Sequence, residues 1–288
     1  MVPGGDVLGQ GSRGSDSRWA RGSLLASLPE AQRQIVLELG RTRQYPAGDV
    51  LLNQGDPSDF VIVIRDGYVK ISAVTEDGAE SLLAIRTAGD VIGELAAMDG
   101  LPRSATARAA DAVVAQVVSK QELDRCLREQ PGIARAFNQA VGAKLRLATQ
   151  RRVDFRRDTR TRLAQVLVDL YYSSPGSQDD GDIEILVTQS ELAGLIGASE
   201  PAVHKAVRSL REAGAVDTGY AKLVIRDIEA LRKIAEGRVG PPPGALTPTA
   251  GGTRTRTLKN RITYSYNVSH ATYAGSCYPC LSLEGRCR

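Results

Sequence analysis

From Gly48 onward glycine recurs at 55, 67, 78, 89 and 100, a turn signal about every eleven residues, mostly with aspartate beside it. Between these glycines lie the runs FVIVI, YVKISAV and SLLAI, rich in β-branched residues. Short apolar runs punctuated this often leave no room for helices of ordinary length. They require antiparallel strands, arranged as a sandwich or a roll. Asp66-Gly67 and Asp77-Gly78 are the clearest hairpin turns by composition.

The pattern on either side is different. LLASLPEAQRQIVLELG (24–40) carries apolar residues at helical spacing, whereas residues 1–22 are rich in Gly, Ser and Arg and read as a disordered N-terminus, with order beginning near Leu24. After AVVAQVVS a helix is expected at 120–128, and Pro131 opens a long helical stretch to about Arg157. Along it Ala134, Val141, Ala148 and Phe155 recur every seven residues, a period suited to pairing with a second copy, although Lys144 interrupts the seam. Asp158-Thr159 breaks the pattern, and RLAQVLVDLYY (162–172) begins a second domain.

These signals divide the chain into a disordered segment (1–22), a β-roll (23–130), a long dimerisation helix with its hinge (131–158), a second domain (159–238) and a disordered tail (239–288). The tail holds six Lys/Arg against one acidic residue, a charge of +5, so the formal net charge of +4 leaves residues 1–238 at −1. Global charge therefore gives no argument for nucleic-acid binding, which must rest on local placement. No apolar run approaches the ~20 residues of a membrane span, the N-terminus has no signal-peptide core, and a cytoplasmic protein is expected. No P-loop, GxSxG or HExxH motif is present, so no enzyme is indicated. Cys277, Cys280 and Cys287 in the tail are one ligand short of a tetrahedral zinc set unless His270 joins, and no metal is expected; Cys126 reads as an ordinary core thiol.

GELAAMDGLPRSATA (93–107) places Glu94 and Arg103 in a loop of small and apolar residues, where charge is costly unless paired or given a charged ligand. An arginine fork matches two phosphate oxygens, each charge-assisted bond contributing about 1.5–3 kcal/mol, and Ser104 adds a hydroxyl donor. Gly93 allows close backbone approach. Glu94 cannot favour a phosphate; it suits hydroxyl donors such as those of a ribose. The alternative is a Glu94–Arg103 bridge in an empty roll.

VTQSELAGLIGASEPAVHKAVRSLREAGAV (187–216) has two helical segments, at about 189–196 and 200–213, joined by GAS. Thr188 with Glu191 forms a capping box, Gly197 permits the turn, Ser199 caps the second helix and Pro201 stands in its first turn. With the turn Thr218-Gly219 between two short strands, this is a winged helix-turn-helix. Lys205, Arg208 and Arg211 follow along one side of the second helix, opposite Val203, Val207 and Leu210. Ser199, Glu200, His204, Lys205 and Arg208 are the candidates to face a DNA groove. Residues 159–238 hold ten basic and twelve acidic side chains, so the alternative reading is a solvated face. The basic stretch KLRLATQRRVDFRRDTRTR (144–162) suits DNA backbone, another partner or solvent equally well.

The loop at 93–107 resembles the phosphate-binding cassette of cyclic-nucleotide-binding domains, and GDPSDFVIVIRDGYVKI resembles the β-roll hairpin of that family. Joined to a winged helix, the chain from about 24 to 238 resembles the cyclic AMP receptor protein and fumarate-nitrate regulator (CRP/FNR) family. The resemblance implies an α+β protein: a jelly-roll-like N-terminal β-roll, a dimerisation helix and a DNA-binding domain, acting as an allosteric bacterial transcription regulator. It implies Glu94 on the ribose 2′-hydroxyl and Arg103 on the cyclic phosphate, with Gly93, Leu95, Ser104 and Ala105 lining the loop. Thr149, on the long helix, is the candidate to read the base. Cyclic AMP is favoured as effector by family prevalence, with cyclic GMP also compatible; the partners implied are double-stranded DNA, a second copy of the chain and RNA polymerase. The family's recognition helix opens with Arg-Glu-Thr where this chain has Glu200, Pro201 and Ala202, so its DNA sequence does not carry over. Two rivals stay open: a regulator of the same fold that senses redox state or another small molecule, and a cyclic-nucleotide adaptor whose winged helix contacts protein.

Overall fold

The computed structural model of the chain describes residues 18–57, 59–74, 76, 78–174 and 182–237. The glycine cadence resolves into strands β1 (Arg41–Tyr45), β2 (Val50–Leu52), β3 (Phe60–Asp66), β4 (Val69–Val74), β5 (Glu80–Arg86), β6 (Val91–Ile92), β7 (Thr106–Ala109) and β8 (Val113–Ser119). They form two antiparallel sheets, in the orders β1-β8-β3-β6 and β2-β7-β4-β5. β3 explains the unbroken apolar run FVIVI. Successive side chains of a strand point to opposite faces. Here Ile62 and Ile64 enter the core between the sheets, while Val61 and Val63 enter a second core beneath the helices.

Strand pairing separates the two expected hairpins. Gly78 joins β4 to β5, which pair with Val74 opposite Glu80; Asp77 lies outside the described residues. Asp66-Gly67 makes no hairpin. β3 pairs with β6 and β8 whereas β4 pairs with β5 and β7, so this turn carries the chain from one sheet to the other. A turn's composition fixes its backbone, but the partners of the strands it joins are decided at long range.

The buried segment begins earlier than Leu24. Trp19 and Ala20 are buried, and Ala20 N–H donates to the Ala88 carbonyl at 3.0 Å. A single turn of 3₁₀ helix (Leu25–Ser27) and α1 (Glu30–Glu38) follow, and a short helix α2 (Glu94–Asp99) opens the loop after β6. α3 (Lys120–Glu129) starts at a capping box between Ser119 and Glu122. α4 (Pro131–Asp154) has Pro131 in its first turn, where the missing N–H is harmless. Ile133, Ala136, Phe137 and Ala140 seat its first half on the roll. Beyond them Leu145, Val153 and the following Phe155 are exposed.

The second domain comprises α5 (Thr159–Ser173), β9 (Ile183–Ile185), α6 (Gln189–Ile196), α7 (Glu200–Glu212), β10 (Val216–Gly219), β11 (Lys222–Ile225) and α8 (Ile228–Ala235). Its core is built from Leu163, Leu167, Leu192, Val203, Leu210 and Leu231. The wing turn is displaced from its expected position: Thr218 and Gly219 belong to β10, and the pairing of Gly219 with Lys222 leaves Tyr220-Ala221 as the turn, Ala221 at φ 51°. Ser199 sits at the N-cap of α7 but its side chain makes no capping bond.

The second domain docks on the roll through α6 and β5. Leu82 of β5 is buried among the second domain's core residues. Gly194 of α6 lies so close that an added Cβ would stand 2.9 Å from Leu82 N. Lys70 Nζ reaches both carboxylate oxygens of Glu191 at 2.7 and 2.9 Å. The cysteines of the tail, the disordered tail expected at 239–288 and residues 1–17 of the disordered N-terminus expected at 1–22 lie outside the described residues, among which no helix is long and apolar enough to cross a membrane.

Candidate functional site

A cavity of about 420 Å³ opens between the second sheet, α2 and α4. Of the residues singled out by the loop motif, Gly93, Glu94, Leu95, Ser104 and Ala105 line it. Ile71, Ile92, Val141 and Leu145 give it an apolar wall. A concave apolar site with a few polar groups is the usual form of a small-molecule pocket.

Arg103 is placed differently from the expectation. It is buried and does not line the cavity; Nη1 donates to the Gly93 carbonyl at 2.8 Å and Nη2 to the Phe60 carbonyl at 2.6 Å. Its guanidinium also stacks 4.8 Å from the Phe60 ring centroid. Burial pulls its pKa down, against Asp59, Glu94 and Asp56, which favour the charge. Gly93 is required by this arrangement. It holds φ 78°, and a Cβ there would lie 2.3 Å from Arg103 Nη1.

Glu94 does not bridge to Arg103. Its Oε1 accepts from Lys144 Nζ at 2.8 Å, and the same ammonium also donates to the Val91 carbonyl. The lysine that interrupts the apolar repeat of α4 is therefore the counter-ion of a buried carboxylate. Oε2 of Glu94 has no partner among the described residues, which leaves an acceptor for a ligand hydroxyl.

Thr149 is exposed and outside the cavity of its own chain; its hydroxyl donates to the Leu145 carbonyl one turn back, at 2.9 Å. Its neighbours Ala148 and Arg151 do line the cavity, as does Arg86 of β5. Sequence reasoning missed Lys144, Arg86 and Arg151 as cavity residues. Only Lys144 carried a signal, a cation at an apolar seam position.

On α7, Val203, Ala206, Val207 and Leu210 are buried, while Ser199, Glu200, His204, Lys205 and Arg208 are exposed. Arg208 Nε lies 3.0 Å from Glu212 Oε1, with both side chains largely in solvent. Such a pair holds its partners weakly, so a phosphate can displace it. The basic hinge is not simply solvated: Arg157 donates to the Ala235 carbonyl, and Arg162 donates to Ile196 and Gly197 while lying over Phe155.

Residues 42–130 match the cyclic nucleotide-binding domain family, and residues 161–234 match the Crp-like helix-turn-helix domain family. The two matches cover more than half of the chain and join the cavity to the exposed α7. The chain belongs to the CRP/FNR family of transcription regulators. Its relatives in that family include the CRP-like cAMP-activated global transcriptional regulator of Mycobacterium tuberculosis, 29% identical over 194 residues, which are 66% of this chain and 86% of the relative. The transcriptional regulator SdrP of Thermus thermophilus is 28% identical over 210 residues, 70% of this chain and 98% of the relative. A CRP/FNR-family transcriptional regulator of known structure, also from Thermus thermophilus, superposes with a TM-score of 0.57 at 26% identity, covering 69% of this chain and all of the other. The cavity lies in the cyclic nucleotide-binding domain together with α4, and α7 is the second helix of the Crp-like helix-turn-helix domain.

Proposed function

We propose that this CRP/FNR-family regulator is a homodimer whose DNA binding is switched by a cyclic nucleotide in the roll cavity, with cyclic AMP the first effector to test. The observation that carries the reading is the cavity itself, which Glu94 and Ser104 both line, with the second carboxylate oxygen of Glu94 making no hydrogen bond among the described residues and Arg103 bonded to the carbonyl of the lining residue Gly93. The carboxylate suits a ribose hydroxyl. Arg103 uses two donors on backbone carbonyls and keeps three N–H groups, so a cyclic phosphate reaches it by drawing the guanidinium away from Gly93 and Phe60. Cyclic AMP is preferred to cyclic GMP because the Mycobacterium tuberculosis relative is named as cAMP-activated.

The apolar residues Leu145 and Val153, exposed on the second half of α4, suit a seam with a second copy. Thr149 lies on that stretch, and across a dimer it would be available to the partner's cavity. Such a dimer sets two copies of α7 at the ~34 Å spacing of one DNA turn, with Ser199, Glu200, His204, Lys205 and Arg208 facing the groove. Full switching requires about 5.5 kcal/mol of differential effector binding between the two states.

Isothermal titration with cyclic AMP and cyclic GMP tests the reading, alongside DNA binding with and without the nucleotide. Saturable binding that is lost in Arg103→Leu, together with nucleotide-dependent DNA affinity, is the expected result. Nucleotide-dependent DNA binding that survives Arg103→Leu overturns it.

A further inference from the structure

The cavity contains more positive charge than one cyclic phosphate uses. Glu94 and Lys144 neutralise each other, and Arg103 is buried outside the lining, held on the Gly93 carbonyl. Arg86 and Arg151 remain, both lining the cavity on the side of β5 and the second half of α4. The Arg86 side chain has no hydrogen-bond or ion-pair partner among the described residues. Arg151 donates through Nη1 to the Leu83 carbonyl at 2.6 Å, which pins it to the same strand, and its Nε is buried with no acceptor.

We propose that Arg86 and Arg151 form a second anion subsite of the cavity, and that the tightest-binding effector is a nucleotide carrying two phosphate groups. Two guanidiniums lining one largely apolar cavity repel each other, and a shared anion relieves this. Burial and the neighbouring Arg86 both pull the Arg151 pKa down, while Asp169 of α5 supports its charge from the second domain. An anion at the subsite replaces the missing counter-charge within the cavity. The proposal rests on the cyclic-nucleotide reading of the cavity and adds a requirement that cyclic AMP, with one phosphate, leaves unmet.

The test is isothermal titration of the full chain and of Arg86→Gln with cyclic AMP, cyclic di-AMP and inorganic pyrophosphate. Arg86 has no side-chain partner to orphan, so the variant should fold normally. The expected result is cyclic di-AMP binding the wild type about tenfold or more tighter than cyclic AMP, an advantage that Arg86→Gln removes by weakening cyclic di-AMP far more than it weakens cyclic AMP. If cyclic AMP binds but cyclic di-AMP shows no advantage, or keeps it in Arg86→Gln, the subsite is overturned and the cyclic-nucleotide reading stands. If neither nucleotide binds, pyrophosphate decides. Saturable pyrophosphate binding lost in Arg86→Gln keeps the anion subsite and overturns the nucleotide reading, and no pyrophosphate binding overturns both.

Discussion

Lys144 Nζ lies 2.8 Å from Glu94 Oε1, joining the middle of the long helix to the first residue of the ligand loop. Their side chains are 17% and 8% exposed, so removing either leaves the other charge nearly buried and unpaired. Lys144→Ala is expected to cost about 3 kcal/mol, and the Lys144→Ala/Glu94→Ala pair less than the sum of the single variants. Urea denaturation of the four proteins measures the coupling; additive losses would show that the pair is not coupled.

Arg103→Leu has a structural cost as well as a functional one. It strips the Gly93 and Phe60 carbonyls of their donors, for an expected loss of about 2 kcal/mol. Arg103→Lys keeps a cation with a point donor but not the fork. It is expected to fold with a smaller loss in thermal denaturation while still binding cyclic nucleotide more weakly than wild type in titration.

Gly194 has no room for a side chain against Leu82 of the roll. Gly194→Val is expected to loosen the docking of α6 on β5 while the roll keeps its own core. Hydrogen exchange should rise at β5 and α6 and stay low in β3 and β8. Protection unchanged at the contact would rule out tight packing there.

Lys205→Ala and Arg208→Ala are each expected to weaken DNA binding and to lower the slope of log affinity against log salt by about 1, the signature of one lost phosphate contact. Glu200→Ala should change preference among sequences more than overall affinity. Affinity measured at several salt concentrations separates the two classes.

Ser119 holds the Glu122 carboxyl below the usual carboxylate range, through its hydroxyl at 2.7 Å and its backbone N–H. A carboxyl depressed in the folded state contributes stability that is complete above its unfolded value and is lost as pH falls through its folded value. Wild type should therefore exceed Glu122→Gln in melting temperature at neutral pH, with the gap closing on acidification. A gap that does not depend on pH would show that the carboxylate charge plays no part in the cap.

Whatever short-range physics governs was legible in the order of the residues. Glycines at turn spacing set the strands of the roll, the Thr188–Glu191 box and Gly197 set the ends of α6, and the Gly93-to-Ala107 stretch carries enough of its motif to mark the ligand loop. Each depends on neighbours within a few positions along the chain. Packing in three dimensions was needed to decide that Asp66-Gly67 crosses between sheets, that Arg103 turns to the Gly93 and Phe60 carbonyls, and that Lys144 meets Glu94. It also placed Arg86 and Arg151 in the lining of one cavity and Leu82 in the core of the second domain. Most of these contacts join residues tens of positions apart, whose partners depend on which faces pack together. Periodicity and capping say which face is apolar or where a helix starts; they carry no information about what lies across the gap.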